Sequence, residues 1–230
     1  MNYFIVFDFE TDGKDPYTCS PVQLAAMALD PFNLEIVENS QFCSDMRPER
    51  EIIDDEGNKK IVTPLQEEYL TIPGVADTLA WHCGIQKKSQ EEVLNRWKTA
   101  PDQKTVWSLF SKYIYKYNTK RTQWQAPYAA GMNIKNFDLI ISNRLNEKYN
   151  IKTMFNHEYT DIRDWAFHAL RWDSSLKSRS MDNLRKYLGM SGDNAHDALK
   201  DVKDSAQIIS RYMKFYKNVF NNTKYKGCMS

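Results

Sequence analysis

The sequence predicts an α/β fold, a mixed sheet of about five strands flanked by helices. Three observations lead to this prediction. Short apolar runs of strand length come first, amphipathic helical patterns follow, and a further apolar run lies between two of the helical segments. Strands that are followed by alternating helices and strands are typical of α/β architectures. The chain has 230 residues, 42% of them hydrophobic, which is enough to bury one sizeable core.

Three apolar runs predict an antiparallel meander at the start of the fold. Tyr3 to Phe9 predicts a buried strand, Val22 to Leu29 a second strand, and Glu35 to Phe42 a weaker third. The segment 30–33, Asp-Pro-Phe-Asn, predicts the hairpin turn between the last two strands. A later run, Pro127 to Met132, predicts a further strand of the sheet.

The region 44–73 differs from its surroundings because it is polar, contains proline and is rich in charge. Within it, Glu51–Ile53 and Lys60–Val62 flank a turn-forming segment and predict a small exposed hairpin. The region has too few apolar residues for a core of its own, so we interpret it as a surface elaboration. The predicted organisation is a single domain over residues 1–220 with a polar C-terminal tail over 221–230.

Capping signals and apolar periodicity predict the helices. Ser89-Gln90-Glu91-Glu92 matches a capping box that opens a helix through about Lys98. Val106 to Tyr117 carries one continuous apolar stripe with the spacing of a buried helix face. The remaining predicted helices are Phe137–Leu145, Met181–Leu188 (capped by Ser180 and ended by Gly189) and Asp197–Val219.

Composition bears on the cellular setting. The N-terminus leads directly into the first predicted strand and carries an acid at Asp8, which argues against a signal peptide. No apolar stretch approaches the roughly 20 residues that a membrane helix needs. The four cysteines have no metal-binding spacing. We therefore expect reduced thiols in an intracellular, cytoplasmic protein.

The net charge of +1 conceals an asymmetry between the two halves of the chain. Residues 1–100 carry 9 Lys+Arg and 18 Asp+Glu, whereas residues 101–230 carry 22 and 12. A basic C-terminal half suits a polyanionic partner, although a pair of solvated faces explains the same counts. The 13 Tyr and 6 Trp include candidates for stacking on unpaired bases, while most of them are expected in the core.

Asp8 and Glu10 lie two residues apart on the first predicted strand. The period of two along a strand points both carboxylates to one face and Phe9 to the other. Two carboxylates on one face repel each other unless a cation lies between them, and a divalent metal ion supplies that cation. Solvation at a strand end is the alternative for an isolated pair, and it is what we expect for Asp12.

Asp138, His196 and Asp201 are the other candidate site residues. Asp138 lies near the start of a predicted helix, where an acid is often only a partner of the helix dipole. Asp201 lies in about the first turn of the last predicted helix, and His196 lies in the loop that leads into it. Each residue alone has a structural explanation. As an ordered set, they suggest a metal centre with a base that titrates near neutral pH.

Three motifs together resemble the DEDD exonuclease superfamily, also called DnaQ-like, of the ribonuclease H-like fold. Asp8 to Gly13 looks like the family's Asp-x-Glu-Thr-x-Gly motif, and Gly131 to Asp138 is similar to the Asn-Ile-x-x-Phe-Asp form of family B polymerase proofreading domains. His196 to Asp201 resembles the His-x-Ala-x-x-Asp motif of the His-bearing (DEDDh) branch. Met181 to Gly189 resembles the segment before that motif, and Asp161 falls where the family often has a further structural Asp.

The resemblance implies roles for the matching residues. His196 would be the general base. The implied ligands of two Mg²⁺ or Mn²⁺ ions are Asp8, Glu10, Asp138 and Asp201. The implied substrate contacts are Thr11, Gly13 and Asn133, with a turn-stabilising role as the alternative for Asn133.

The implied activity is 3′–5′ exonuclease hydrolysis that releases nucleoside 5′-monophosphates from a nucleic acid with a free 3′ end. Single-stranded DNA is the favoured substrate, because the second motif resembles proofreading domains. Two alternatives remain: an exoribonuclease that trims RNA 3′ ends, and a binding module or proofreading subunit that docks to a polymerase. Clustered carboxylates argue against a pure binder, since without metal they repel phosphate.

Overall fold

A computed structural model describes residues 1–191 and 197–222, and in these ranges the chain forms seven strands and seven α-helices. The strands are β1 (Phe4–Thr11), β2 (Pro21–Leu29), β3 (Phe42–Asp45), β4 (Arg50–Ile53), β5 (Lys59–Val62), β6 (Tyr128–Gly131) and β7 (Tyr159–Asp161). The helices are α1 (Val75–Gln86), α2 (Gln90–Thr99), α3 (Gln103–Tyr115), α4 (Asp138–Tyr149), α5 (Ile162–Leu170), α6 (Met181–Tyr187) and α7 (Ala198–Asn222).

Five strands form one mixed sheet in the order β3-β2-β1-β6-β7. β1, β2 and β3 pair antiparallel as a meander, whereas β1, β6 and β7 run parallel to one another. β4 and β5 form a separate antiparallel hairpin, as the sequence predicts. The predicted α/β fold with a five-stranded mixed sheet is therefore confirmed.

Helices cover both faces of the sheet, and the period of two along β1 decides which side chain meets which layer. Phe7 and Phe9 pack with α3 and α4, whereas Val6 packs with α5, α6 and α7. Phe9 is 4% exposed, in agreement with its predicted core position. Asp8 and Glu10 therefore lie on the face that the last helix covers.

Capping explains where several helices begin. The Ser89 hydroxyl accepts a hydrogen bond from the Glu92 N–H at 3.2 Å, and the Glu92 carboxylate accepts one from the Ser89 N–H at 2.8 Å. This reciprocal pair is the predicted capping box at the start of α2. Ser180 caps α6 in the predicted position, by accepting a bond from the Asn183 N–H at 3.4 Å.

The third strand was predicted too early in the chain. It is Phe42–Asp45 and not Glu35–Phe42. Leu34 and Asn39 adopt left-handed backbone conformations, with φ of 62° and 56°, which interrupt an extended chain. Ile36 forms only an isolated bridge to Leu29.

Three elements are absent from the sequence prediction: α1, α5 and β7. In α1 the buried face consists of Val75, Thr78, Leu79 and His82. Two of these four side chains are polar, so the apolar period is broken although the helical spacing i, i+3, i+4, i+7 is kept. β7 has three residues, which is too short to give a periodic signal.

The elaboration packs onto the sheet through a third apolar cluster. Val62 and Tyr69 from the elaboration meet Val22 of β2 and side chains of α1 and α2, including Leu79 and Trp97. The apolar residues that the region lacks are thus supplied by neighbouring elements. Across residues 1–191 and 197–222, none of the helices combines the length and apolar character needed to cross a membrane.

Candidate metal centre

Three carboxylates converge on one point between the sheet and the start of α7. Asp8 and Glu10 project from β1, and Asp201 projects from the first turn of α7. One oxygen from each lies within 4.8 Å of the others. Asp8 is paired across the sheet with Ala25 of β2, whose small side chain leaves room beside the carboxylate. The structure thus brings together three of the four predicted ligands.

Asp138 lies beside this cluster in a more enclosed position. It is the first residue of α4 and is 2% exposed. Its carboxylate accepts a hydrogen bond from the Phe9 N–H at 3.0 Å, so it is tied to the strand segment between Asp8 and Glu10. It does not belong to the group of oxygens within 4.8 Å, which consists of Asp8, Glu10 and Asp201.

The electrostatics of the site oppose the ionised form of its acids. Burial, followed by the charges of Asp138, Glu10 and Asp201, raises the pKa of Asp8 well above its ordinary value. Burial and the charges of Asp201 and Asp138 raise the pKa of Glu10 to about 8. Burial raises the pKa of Asp138 to about 8 as well, against the hydrogen bond from Phe9. Each shift arises first from burial, and for Asp8 and Glu10 the neighbouring carboxylates add to it.

Arg185 is the one cation whose side chain contacts the cluster in the described residues. It projects from α6 and is 1% exposed. Its guanidinium donates to Asp201, to Asp204 at 2.7 Å and to Asp182 at 3.0 Å. Asp204 also accepts from the Lys200 ammonium at 2.5 and 2.6 Å. Arg185 thereby fixes one oxygen of Asp201 and leaves the other acids of the cluster without a direct cationic partner.

The donor set suits a hard divalent cation. All its side chains offer carboxylate oxygens, which Mg²⁺ and Mn²⁺ prefer, and the set contains no sulfur donor of the kind that favours zinc. Among the described residues, neither the Asp8 nor the Glu10 carboxylate takes part in a hydrogen bond or ion pair. Their oxygens are thus free to bind an ion, and a bound cation would relieve the repulsion that raises their pKa values.

Thr11 and Gly13 lie where β1 ends, and both are buried. The Thr11 hydroxyl donates to the Gly13 carbonyl at 2.7 Å, and the Thr11 carbonyl accepts from the His82 Nε2–H at 2.9 Å. A Cβ on Gly13 would lie 2.7 Å from an Arg50 nitrogen, so a larger residue here would have to displace the Arg50 side chain. The substrate role of Thr11 and Gly13 stays a prediction.

Asp12 is not solvated, and the prediction that it is solvated is wrong. Its side chain is fully buried and accepts from the Ser20 N–H at 2.7 Å, from Arg50 at 3.0 Å and from the Tyr69 hydroxyl at 2.6 Å. Burial raises the pKa of Asp12, and these partners oppose the rise. Two of them come from the elaboration, so Asp12 anchors that region to the end of β1.

Asn133 lies at the carboxyl end of β6, in a left-handed conformation with φ of 57°. Its N–H donates to Asp161 at 3.0 Å, and its side-chain oxygen accepts from Arg163 at 3.1 Å. These bonds fit the turn-stabilising alternative, while a substrate contact stays a prediction. Asp161 also accepts from the Lys135 N–H at 3.3 Å, as expected of a structural acid.

His196, the predicted general base, lies outside the described residues. Sequence reasoning missed Arg185, although a signal for it exists. Asp201 and Asp204 are three residues apart on one face of α7, and α6 was singled out as the segment that precedes this helix. Two acids on a buried helix face require a cation. Arg185, adjacent to the core residue Leu184, is the cation in that segment that the core encloses.

Comparisons with known proteins identify relatives of the fold. No protein-family model matches the chain, and no curated protein matches its sequence. Among solved structures, E. coli exonuclease I in complex with a dT13 oligonucleotide matches with a TM-score of 0.62 at 18% identity, over 96% of this chain and 44% of that chain. The chain therefore spans less than half the length of exonuclease I.

Two further solved structures are similar. A 3′-exonuclease whose structure concerns 3′-end specific recognition of a histone mRNA stem-loop matches with a TM-score of 0.58 at 14% identity, over 93% of this chain and 82% of that chain. Cell-death related nuclease 4 (CRN-4) matches with a TM-score of 0.60 at 16% identity, over 94% and 64%. The chain therefore shares the α/β fold of these solved nucleases.

Proposed function

We propose that this chain is a metal-dependent 3′–5′ exonuclease. It hydrolyses terminal phosphodiesters, mainly of single-stranded DNA, and releases nucleoside 5′-monophosphates. The observation that carries the proposal is the convergence of Asp8, Glu10 and Asp201 on one point, with Asp138 hydrogen-bonded beside them. Similarity to the fold of exonuclease I with bound oligonucleotide supports it.

The proposed roles follow from the positions of the side chains. A bound pair of Mg²⁺ or Mn²⁺ ions supplies activation of a water molecule and stabilisation of the charge that develops on the phosphoryl and leaving oxygens. Asp8, Glu10, Asp138 and Asp201 hold that pair. Arg185 orients the Asp201 carboxylate through its buried guanidinium.

His196 is proposed to accept the proton of the attacking water, because imidazole titrates near neutral pH. His196→Ala should lower kcat by about 10²–10⁴-fold, the usual cost of losing a general base, and should leave Mn²⁺ binding unchanged. His168, which is exposed on α5, provides the matched control, and His168→Ala should retain full activity. Equal activity of the two variants would remove His196 from the mechanism.

Single-stranded ends fit the site better than duplex, because the acids are recessed and Asp138 is almost completely enclosed. The preference for DNA rests on the resemblance of the 133–138 motif to proofreading domains. RNA trimming is the second candidate. It is favoured by the similarity to the 3′-exonuclease of the histone mRNA stem-loop, whose chain is covered over 82% of its length.

The deciding experiment digests 5′-labelled oligonucleotides of matched sequence, one DNA and one RNA, with Mg²⁺, Mn²⁺ or EDTA. We expect a ladder that shortens from the 3′ end, 5′-monophosphate products, faster loss of DNA, and no reaction in EDTA. Asp55, an exposed acid in the β4–β5 hairpin, gives the matched control, since Asp55→Asn should behave as the parent chain. Equal or faster loss of RNA would overturn the substrate assignment, and cleavage in EDTA would overturn the metal-dependent mechanism.

A further inference from the structure

A second feature, which we call the basic cavity, opens beside the carboxyl end of β6. Its volume is about 530 Å³. Met132 and Asn133 form its wall on the sheet side, and α5 together with the segment 171–180 forms the rest. Its charged lining consists of four cations and one carboxylate in the described residues, namely Arg163, Arg171, Lys177, Arg179 and Asp173.

Within the part of the chain that the structure describes, the four cations of the basic cavity have no acidic ion-pair partner. The oxygens of Asp173 are engaged elsewhere, by the Tyr187 hydroxyl at 2.7 Å and the Ser175 N–H at 2.9 Å. The hydrogen bonds from Ser175 and Tyr187 lower the pKa of Asp173. A cluster of like charges with this little compensation favours an anionic ligand.

Aromatic rings hold two of these cations close together. The guanidinium carbons of Arg171 and Arg179 lie 5.0 and 4.9 Å from the centroid of the same Phe167 ring. Arg171 also lies 4.7 Å from the ring of Trp172. Cation–π contacts of this kind orient the guanidinium groups, which keep their positive charge. Both guanidinium groups are thereby held near one ring, where a bound phosphate would meet positive charge.

Trp172 adds a surface for stacking. Its side chain is 84% exposed, whereas Trp97 and Trp107 are at most 2% exposed in the core. A nearly fully exposed indole beside unpaired guanidinium groups is the combination by which proteins bind single strands, with bases on the ring and phosphates on the cations. An acidic peptide would pair with the cations but would supply no base to stack on the Trp172 indole.

The basic cavity lies at the same edge of the sheet as the metal centre. β1 and β6 run parallel with Val6 opposite Ala130, and two residues further along are Asp8 and Met132. Neighbouring strands are about 4.8 Å apart. Gly131 allows β6 to lie close to β1 here, since a Cβ at this position would lie only 2.9 Å from the Phe7 carbonyl oxygen. A single-stranded nucleic acid that leaves the metal centre across β6 would therefore enter the basic cavity.

We propose that the basic cavity binds the backbone phosphates of a single-stranded nucleic acid upstream of the 3′ end that the metal centre holds, and that Trp172 stacks on one of its bases. This inference rests on the proposed function, of which it is an extension. It assigns Arg171 and Arg179 to phosphate binding and removes them from the chemistry of the scissile bond.

Binding is measured by fluorescence anisotropy with a 5′-labelled oligothymidylate of about 12 nucleotides, in an Asp8→Asn background that prevents hydrolysis. Replacing Arg171 and Arg179 together by Ala should weaken binding at least about tenfold. It should also reduce the slope of log K against log salt by about 1.4, which is about 0.7 for each cation removed from a single strand. Trp172→Ala should weaken binding about tenfold, and Trp172→Phe should restore much of it.

Two matched control residues lie away from the basic cavity. Arg121 lies 5.4 Å from the Tyr115 ring centroid at the end of α3, the helix that packs on the opposite face of the sheet. Trp124 is 71% exposed and precedes β6 at its amino end. Arg121→Ala and Trp124→Ala should leave affinity and salt slope unchanged. A loss in the controls as large as that in the cavity variants would overturn the assignment, because general surface charge would then explain binding.

Hydrolysis of the p-nitrophenyl ester of thymidine 5′-monophosphate, in the chain with Asp8 intact, separates this inference from the proposed function. This ester occupies only the metal centre, so the cavity variants should cleave it at the parental rate while losing activity on the oligonucleotide. Unchanged oligonucleotide binding in the cavity variants would overturn the basic cavity and leave the exonuclease proposal standing. No hydrolysis of either substrate by the parent chain, with binding still dependent on Arg171 and Arg179, would overturn the exonuclease and retain the cavity.

Discussion

Strand β1 and the residue that follows it carry two groups of acids within residues 8–12, and the two groups differ in their partners. Asp12 is surrounded by partners, since a backbone N–H, a guanidinium and a phenol all donate to its carboxylate. Asp8 and Glu10 lie near two further acids, Asp201 of α7 and Asp138 of α4. Of these four acids, Arg185 donates to Asp201. Donors from the protein compensate the charge of Asp12, which we call the closed group. The charges of Asp8, Glu10, Asp138 and Asp201 are compensated only in part, and we call these four acids the open group.

The difference teaches how to tell a structural acid from a functional one when both are buried. Burial by itself does not discriminate, because it raises the pKa of Asp12 and of Asp8 alike. The partners discriminate. Donors that converge on Asp12 make it part of the fold, whereas other acids that converge on Asp8 create a requirement for a cation from outside.

The sharpest test of this comparison is the isosteric substitution Asp8→Asn, measured for both activity and stability. Asp8→Asn should lower kcat by about 10³-fold or more, because the metal ions contribute several kcal/mol to transition-state stabilisation. The same substitution removes a repelling charge, so the melting temperature in EDTA should stay the same or rise. Single-turnover digestion and thermal unfolding measure the two effects.

Retention of near-full Mg²⁺-dependent activity by Asp8→Asn would contradict the metal centre. A fall in melting temperature in EDTA would instead show that Asp8 has structural partners like those of Asp12. The exposed Asp55→Asn variant serves as the control for both measurements.

Asp12 should show the opposite behaviour. Arg50 is 6% exposed, so Asp12→Ala leaves its guanidinium buried without the carboxylate that pairs with it. We therefore expect a loss of about 3–5 kcal/mol in the free energy of unfolding. Tyr69→Phe removes one hydrogen bond from the same carboxylate and should cost about 1 kcal/mol. Urea unfolding measures both values.

Two double-mutant cycles combine Arg50→Ala with Asp12→Ala and with Tyr69→Phe. A coupling energy near zero between Asp12 and Arg50 would show that the ion pair does not anchor the elaboration. A large coupling with unchanged activity per folded molecule would confirm a purely structural role.

The sequence shows the open group and hides the closed one for a physical reason. Asp8 and Glu10 were predictable as neighbours because the strand period points both side chains to one face, whereas Asp201 was added by the resemblance of three sequence motifs to a known family. The partners of Asp12 come from Arg50 and Tyr69, which are 38 and 57 residues away in the chain. No local pattern encodes a contact at that separation, so Asp12 was predicted to be solvated.

The same limit explains the other corrections. β3 begins later than predicted because left-handed residues at Leu34 and Asn39 break an apolar run that reads as extended. Arg185 was not predicted because two of its three acidic partners, Asp201 and Asp204, reach it only through the packing of α6 on α7. Elements with a strong period, such as α2 and α3, are correct to within a few residues.

The open group should make the stability of the metal-free chain depend on pH. The folded-state pKa values of Glu10 and Asp138 are raised to about 8, above those of the unfolded chain near 4. The folded state therefore holds more protons between these limits, and the free energy of unfolding should fall as pH rises from 4 to 8. We expect a loss of several kcal/mol in EDTA between pH 5 and pH 8, since each of the two groups contributes about 1.4 kcal/mol for each pH unit in that window.

Thermal unfolding at pH 5 and pH 8, with EDTA or with Mn²⁺, measures this dependence. Mn²⁺ at pH 8 should restore most of the lost stability, since the ion replaces the protons as the compensating charge. Asp55→Asn, at an exposed acid, should leave the difference between the two pH values unchanged, whereas Asp8→Asn should reduce it. A pH dependence that is the same with and without Mn²⁺ would place its origin outside the metal centre.

The smallest expected effect concerns Arg185, the partial compensation inside the open group. Its guanidinium supplies positive charge to Asp201 whether or not an ion is bound. Arg185→Met should therefore destabilise the metal-free chain more than the Mn²⁺-loaded chain, and the increase in melting temperature on adding Mn²⁺ should grow by about 3 °C, which corresponds to about 1 kcal/mol for a chain of this size. Differential scanning calorimetry with and without Mn²⁺ measures this increase.

Asp204→Asn provides the control, because Asp204 shares Arg185 but is not part of the carboxylate cluster. It should change stability equally with and without Mn²⁺. Arg185→Lys should give an intermediate result, since an ammonium keeps the charge but cannot bridge Asp201 and Asp204 in the geometry of a guanidinium. If the Mn²⁺-dependent increase is the same in Arg185→Met as in the parent chain, Arg185 belongs with Asp12 among the structural contacts, and the open group contains four acids without internal compensation.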